Sequence, residues 1–131
     1  MADFKAGDAV PELRVTPDKY LPHRYAGASG DYNPIHVDPD FAKSVGLPSN
    51  ILHGLYSMGL VAKAAAVGLA GGDPRALKKL TVQFRGMGLP EQEVVVTGEV
   101  KEVDGNHVTV DLEAVQGETR IIRNAVAELE L

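Results

Sequence analysis

The chain has 131 residues, 44% of them hydrophobic, with 13 Lys and Arg against 18 Asp and Glu for a formal net charge of −5. Residues 1–131 therefore read as one globular domain, and the acidic balance argues against nucleic acid, whose phosphates demand clustered positive charge. The absence of cysteine excludes disulfides, thiolate nucleophiles and cysteine-held zinc, and suits a reducing, cytoplasmic setting.

The opening residues lack the apolar run of a signal peptide. Gly7 and Pro11 suggest a turn and then a short strand through Leu13 and Val15. Thr16-Pro17-Asp18 predicts a helix start capped by Thr16, with the helix running toward Ala28 and distorted in its middle by Pro22. Asp38-Pro39-Asp40 predicts a second, short helix through Phe41, Ala42 and Val45, ended by Gly46 and Pro48.

From about Gly54 to Ala70 the spacing is helical, with Leu55, Met58, Ala62, Ala65, Ala66 and Leu69 expected on one face. Ala and Gly make the remaining sides slim, so the helix can lie close against a sheet. The apolar stretch from Leu55 to Gly72 is interrupted by Lys63, and a buried soluble helix is expected there, not a membrane span. Residues 76–86 alternate as a strand, and Val94–Val103 and Val108–Val115 form two more, joined by an Asp104-Gly105 hairpin. A turn at Gln116-Gly117 or Gly117-Glu118 leads into a last strand over Thr119–Leu131. One long helix before a meander of antiparallel strands predicts an α+β layer fold with the sheet curled around the helix.

Residues 25–36 read Tyr-Ala-Gly-Ala-Ser-Gly-Asp-Tyr-Asn-Pro-Ile-His. They hold a carboxylate, Asp31, and an imidazole, His36, on either side of Asn33 and Pro34. Proline is poorly tolerated inside a helix, so a shaped loop is expected to present the pair. An acid and a base on one rigid loop can handle a water molecule between them, as the addition of water to a double bond requires.

Taken with His53-Gly54 at the head of a helix, this motif resembles the MaoC-like dehydratases, which include (R)-specific enoyl-CoA hydratases and small (3R)-hydroxyacyl-thioester dehydratase subunits. The resemblance covers nearly the whole chain and implies a single hot-dog fold, a long central helix wrapped by a curved antiparallel sheet. It implies that Asp31 and His36 are the catalytic pair, that Asn33 holds the site in shape, and that the backbone N–H of Gly54 binds the thioester carbonyl. It further implies an acyl-CoA or acyl-carrier-protein substrate, with coenzyme A or phosphopantetheine as part of that substrate and no resident cofactor. Two hot-dog units are expected to pair, as a homodimer or with a related second subunit. A hot-dog thioesterase and a non-catalytic acyl-thioester-binding subunit are the competing readings.

Other residues carry weaker signals. Tyr25, Tyr32 and Tyr56 either line an acyl pocket or pack, and Tyr32 is kept with Asn33 and Ser57 as a site-shaping candidate. Ser57, one turn into the long helix, faces either the site or the core. Lys43, Lys78, Lys79 and Arg85 either meet substrate phosphates or lie on solvated edges, with Arg85, beside a Gly-Met-Gly break, the best single candidate. His36, His53 and Asp38 lack the tight spacing of a metal site, so no metal is expected. His53 reads as a structural residue at the helix start, and His23 and His107 as surface or turn residues.

Overall fold

The computed structural model describes residues 3–131. Strand β1 (Ala9–Val15) is followed by three short helices, α1 (Leu21–Ser29), α2 (Pro34–Val37) and α3 (Pro39–Ser44). The long helix α4 (Gly54–Ala70) and a single 3₁₀ turn (Pro74–Ala76) lead to strands β2 (Leu77–Phe84), β3 (Val94–Asp104), β4 (His107–Gln116) and β5 (Thr119–Glu130). The strands form one antiparallel sheet in the order β1-β3-β4-β5-β2.

Helix α4 touches all five strands. A flat five-stranded sheet is about 19 Å wide, broader than a helix of about 10 Å, so the sheet must curl around α4. This is the hot-dog arrangement. Small side chains permit the close approach: Ala64 and Ala65 on the helix meet a layer that includes Ala114, Ala125 and Ala127, all fully or almost fully buried. At Gly68 a Cβ would lie 2.9 Å from a Val10 methyl, so only glycine lets α4 pass β1 there.

The buried face of α4 consists of Ser57, Leu60, Val61, Ala64, Ala65, Ala66 and Leu69. Leu55, expected on that face, is 64% exposed, and Met58 and Ala62 are only partly buried. The helix is apolar on nearly every side, so periodicity alone could not choose the face. The extended β5 also breaks simple alternation. Leu112 pairs with Ala125 while Ala114 pairs with Ile122, which leaves an extra residue on β5, and Asn124 takes φ 51°. This bulge resets the phase between Ile122 and Ala125, and a second shift, between Ala114 and Val115, leaves Ile121 as an extra residue on β5, so Ile121, Ile122 and Ala125 are all buried.

The helix predicted from Pro17 begins instead at Leu21. Had it started at Pro17, the Pro22 ring would have struck the carbonyl of Asp18, four residues back. Pro22 occupies the first turn, where its missing N–H costs nothing. Asp18 accepts the Tyr20 N–H (2.8 Å) and pairs with Arg24 (2.7 Å). The hairpin loop is Gly105-Asn106, one residue later than expected, because Asp104 still pairs with His107 and Gly105 supplies the positive φ of 60° at the first loop position. The next loop is Gly117-Glu118, the second of the two alternatives, with Gly117 at φ 59°. No helix among the described residues is long and apolar enough to cross a membrane.

Candidate active site

The loop after α1 builds the site from local bonds. Gly30 ends α1 at φ 79° and turns the chain outward. The Asp31 N–H donates to Ser29 Oγ (3.1 Å), and the Asn33 N–H donates to Asp31 Oδ1 (3.2 Å). Asn33 then caps α2, its Oδ1 accepting the Ile35 N–H (3.2 Å), with Pro34 at the first helical position. His36 therefore sits in a one-turn helix, where the sequence suggested loop throughout; Asn33 and Pro34 together are a start signal for α2.

His36 is buried. Its Nδ1 lies 2.8 Å from the carbonyl oxygen of Ile51, which can only accept, so Nδ1 carries the proton. In the neutral ring Nε2 then has the free lone pair; it stands 3.8 Å from Asp31 Oδ2. The Asp31 side chain is about half exposed, so this carboxylate meets both the buried imidazole and the outside.

Segment 49–53 clamps the loop from behind. The Ile51 N–H donates to the Ile35 carbonyl (2.9 Å), and Nδ2 of buried Asn50 donates to the His36 carbonyl (2.9 Å). His53, the N-cap of α4, is buried, with Nε2 3.0 Å from the Asp31 carbonyl oxygen. Its ring stacks on that of His36 with centroids 3.9 Å apart and planes at 19°. Sequence reading missed Asn50 altogether; a lone Asn after Pro and Ser resembles any turn residue.

A cleft of about 290 Å³ opens beside this cluster, lined by Tyr25, Ser29, Asp31, His53, Gly54, Leu55 and Phe84. Gly54 is the first residue of α4, where backbone N–H groups lack an intrahelical acceptor and the helix dipole favours negative charge. A Cβ at Gly54 would lie 3.2 Å from the Phe84 ring, so a side chain there would crowd the cleft wall.

The remaining candidates divide. Tyr25 lines the cleft, with the ring of half-buried Tyr56 edge-on to it at 5.8 Å. Burial raises the Tyr56 phenol above its ordinary value. Tyr32 is 63% exposed and lies outside the cleft wall, its hydroxyl near Gly27. Ser57 is buried in α4, with its hydroxyl unpartnered among the described residues. Arg85 follows β2, one residue past Phe84, and its guanidinium donates to Gln83 Oε1 (3.0 Å) at the surface. Lys78 and Lys79 are exposed, and Lys79 pairs with Glu128 at 3.9 Å.

Asp38 is taken up as the cap of α3, its Oδ1 accepting from the Asp40 and Phe41 N–H groups. The polar atoms that do converge belong to Asp31, His36 and His53, all within 4.8 Å of one another. Their geometry does not suit a metal ion. Lone pairs of imidazole lie in the ring plane, so two stacked rings aim theirs side by side, not at one point. The set suits proton exchange between an imidazole and a carboxylate.

Comparison with known proteins fits this arrangement. Enoyl-CoA hydratase 2, peroxisomal, of Arabidopsis thaliana is 45% identical over 75 residues, covering 57% of this chain and 23% of that protein. The peroxisomal hydratase-dehydrogenase-epimerase of Neurospora crassa is 38% identical over 125 residues, covering 95% of this chain and 13% of that one. The chain thus spans less than a quarter of the length of either relative. A solved MaoC-like dehydratase superposes with a TM-score of 0.91 at 29% identity, covering 98% of this chain and 41% of the other. The description "MaoC like domain" fits residues 5–121, a range that holds the loop, the head of α4 and most of the sheet, and the chain belongs to that family.

Proposed function

We propose that the protein adds water to a trans-2-enoyl thioester, giving a (3R)-hydroxyacyl thioester, or runs the reverse dehydration. One observation carries this reading: Nε2 of His36 and the Asp31 carboxylate face each other across 3.8 Å, and with Nδ1 spent on the Ile51 carbonyl, Nε2 of the neutral ring is an acceptor like the carboxylate. Two acceptors need a shared donor. A water molecule about 2.8 Å from each would see them at an angle of about 85°, close to what its two O–H bonds can serve.

In the hydration direction, the water oxygen bonds to C3 of the olefin and the electron pair of the double bond moves toward the thioester oxygen. The Gly54 N–H at the head of α4 stabilises that developing charge. One water proton is taken up by the Asp31–His36 pair, and a proton is returned to C2, so the pair ends as it began. Asn33 holds the loop through its cap, and Tyr25, Leu55 and Phe84 offer the acyl group an apolar wall.

Coenzyme A or a carrier-protein phosphopantetheine arm is the handle of this substrate, with no resident cofactor, and Arg85 near the cleft is the candidate contact for its phosphates. The free edge of β2, beside exposed Phe84 and Met87, favours pairing with a second hot-dog unit, either a copy or a related subunit. The cysteine-free chain favours a cytoplasmic setting.

The test is hydration of crotonyl-CoA or longer enoyl-CoA, followed by loss of enoyl absorbance. Asp31→Asn and His36→Ala are each expected to lose about 10²–10⁴-fold in rate while keeping the wild-type circular dichroism spectrum. Full activity in either variant, or release of free thiol in place of hydration, would overturn the reading.

A further inference from the structure

The head of α4 carries a second imidazole that the hydration chemistry does not use. His53 is 2% exposed, with the ring of His36 stacked on it and that of Tyr25 packed against it at a tilt of 47°, its centroid 4.6 Å away. Its Nε2 must carry the proton, because its partner is a carbonyl oxygen. Nδ1 is then a bare acceptor, buried without a hydrogen-bond partner among the described residues. An unpaired buried acceptor is a standing cost to folding that a phenylalanine at this place would not carry.

The two contacts of His53 fall on the two members of the proposed catalytic pair. The other hydrogen bonds at Asp31 come from its own loop, Ser29 and Asn33. Among the described residues, the bond from His53 is therefore the one that ties Asp31 to the body of the fold. His36 is anchored at its backbone by Asn50 and at Nδ1 by Ile51, which leaves rotation of its plane to be limited by the stack.

We propose that His53 is a positioning residue: it holds Asp31 through the main chain and His36 through the plane of its ring, and so sets the gap between them. This rests on the hydratase reading of the same pair. The titratable groups facing His36 are Asp31 from the loop and His53 from the head of α4, with Tyr25 of α1 against His53.

Two substitutions separate the contacts. His53→Phe keeps a flat ring against His36 and removes the donor; His53→Gln keeps a donor near the place of Nε2 and removes the ring. Each is expected to lose about ten- to a hundredfold in kcat for crotonyl-CoA, as a small misplacement of reacting groups does, with KM within about twofold of wild type. A merely structural residue would leave kcat per folded molecule unchanged. Wild-type kcat in either variant, or a loss carried by KM instead, would overturn the proposal. Should a variant not fold, the imidazole ¹⁵N shifts of the wild-type protein decide: an Nε2–H tautomer at His53 and an Nδ1–H tautomer at His36 are expected, and an Nδ1–H tautomer at His53 would sink the idea. A wild-type protein without turnover would instead sink the hydratase reading and leave the tautomer measurement to judge His53.

Discussion

Nε2 of His36 faces Asp31 Oδ2 across 3.8 Å, too far for a direct hydrogen bond and close enough for both to grip one small molecule. The tautomer of His36 is not free, because the Ile51 carbonyl claims Nδ1. A buried, singly oriented imidazole thus confronts a half-exposed carboxylate. Segment 49–53 lies behind both groups, with Asn50 and Ile51 on His36 and His53 on Asp31.

Gly54 is where helix α4 meets the cleft. Gly54→Ala places a methyl 3.2 Å from the Phe84 ring, and the hydration rate is expected to fall about tenfold or more. Stability should change little, since the helix-propensity gain of up to about 1 kcal/mol is offset by displacing the ring. Phe84→Ala in the Gly54→Ala background should restore part of the rate. Additive losses in the double variant would show that the clash is not the cause.

Asn50 is buried, and its Nδ2 donates to the His36 carbonyl. Asn50→Leu leaves that carbonyl unpaired and should cost about 1–3 kcal/mol in urea denaturation. The rate should fall as well, because this bond anchors the backbone that carries the imidazole. A stable Asn50→Leu protein with full activity would contradict this account.

Gln116, at the end of β4, is buried and holds the connection between β2 and β3. Its Oε1 accepts the Leu89 N–H (2.8 Å), and its Nε2 donates to the carbonyls of Leu89 (2.7 Å) and Gln92 (3.1 Å). Gln116→Leu removes all three bonds and is expected to lower stability by about 2–3 kcal/mol. An unchanged urea midpoint would mean that the connection is held by other contacts.

His107, at the start of β4, lies between two carboxylates of β5. The hydrogen bond its ring donates to Glu130 first, and then the one it donates to Glu128, raise its imidazole above the ordinary value. A group raised on folding contributes stability that is whole below its unfolded-state value of about 6.5 and is lost as the pH rises through the higher folded-state value. The urea midpoint of wild type should therefore fall, relative to His107→Ala, as the pH rises above about 6.5. Parallel curves for the two proteins would remove this contribution.

Much of the architecture is legible in local chemistry. The α4 boundaries are marked by His53-Gly54 and Gly71-Gly72, and the strands by alternation between Gly-containing turns. The start of α1 is misread from Thr16-Pro17 because the decisive clash, Pro22 on the Asp18 carbonyl, depends on the backbone being helical at both places. Ser57 and Leu55 have no face assigned by periodicity, because a helix apolar on nearly every side shows no preferred one. Asn50 and Gln116 leave no signal, since their partners are backbone carbonyls and N–H groups distant in the chain.

By itself the sequence determined the chemistry at hand: a carboxylate and an imidazole on one Asx-and-proline loop, and a glycine heading a slim helix, all matters of local bonding. Only the tertiary structure decided which atoms meet. It turned His36 so that Nδ1 is spent on Ile51, brought His53 against it from the head of α4, and left Tyr32 outside. Those outcomes depend on packing between segments far apart in the chain, where burial forces each polar atom to find whatever partner the fold supplies.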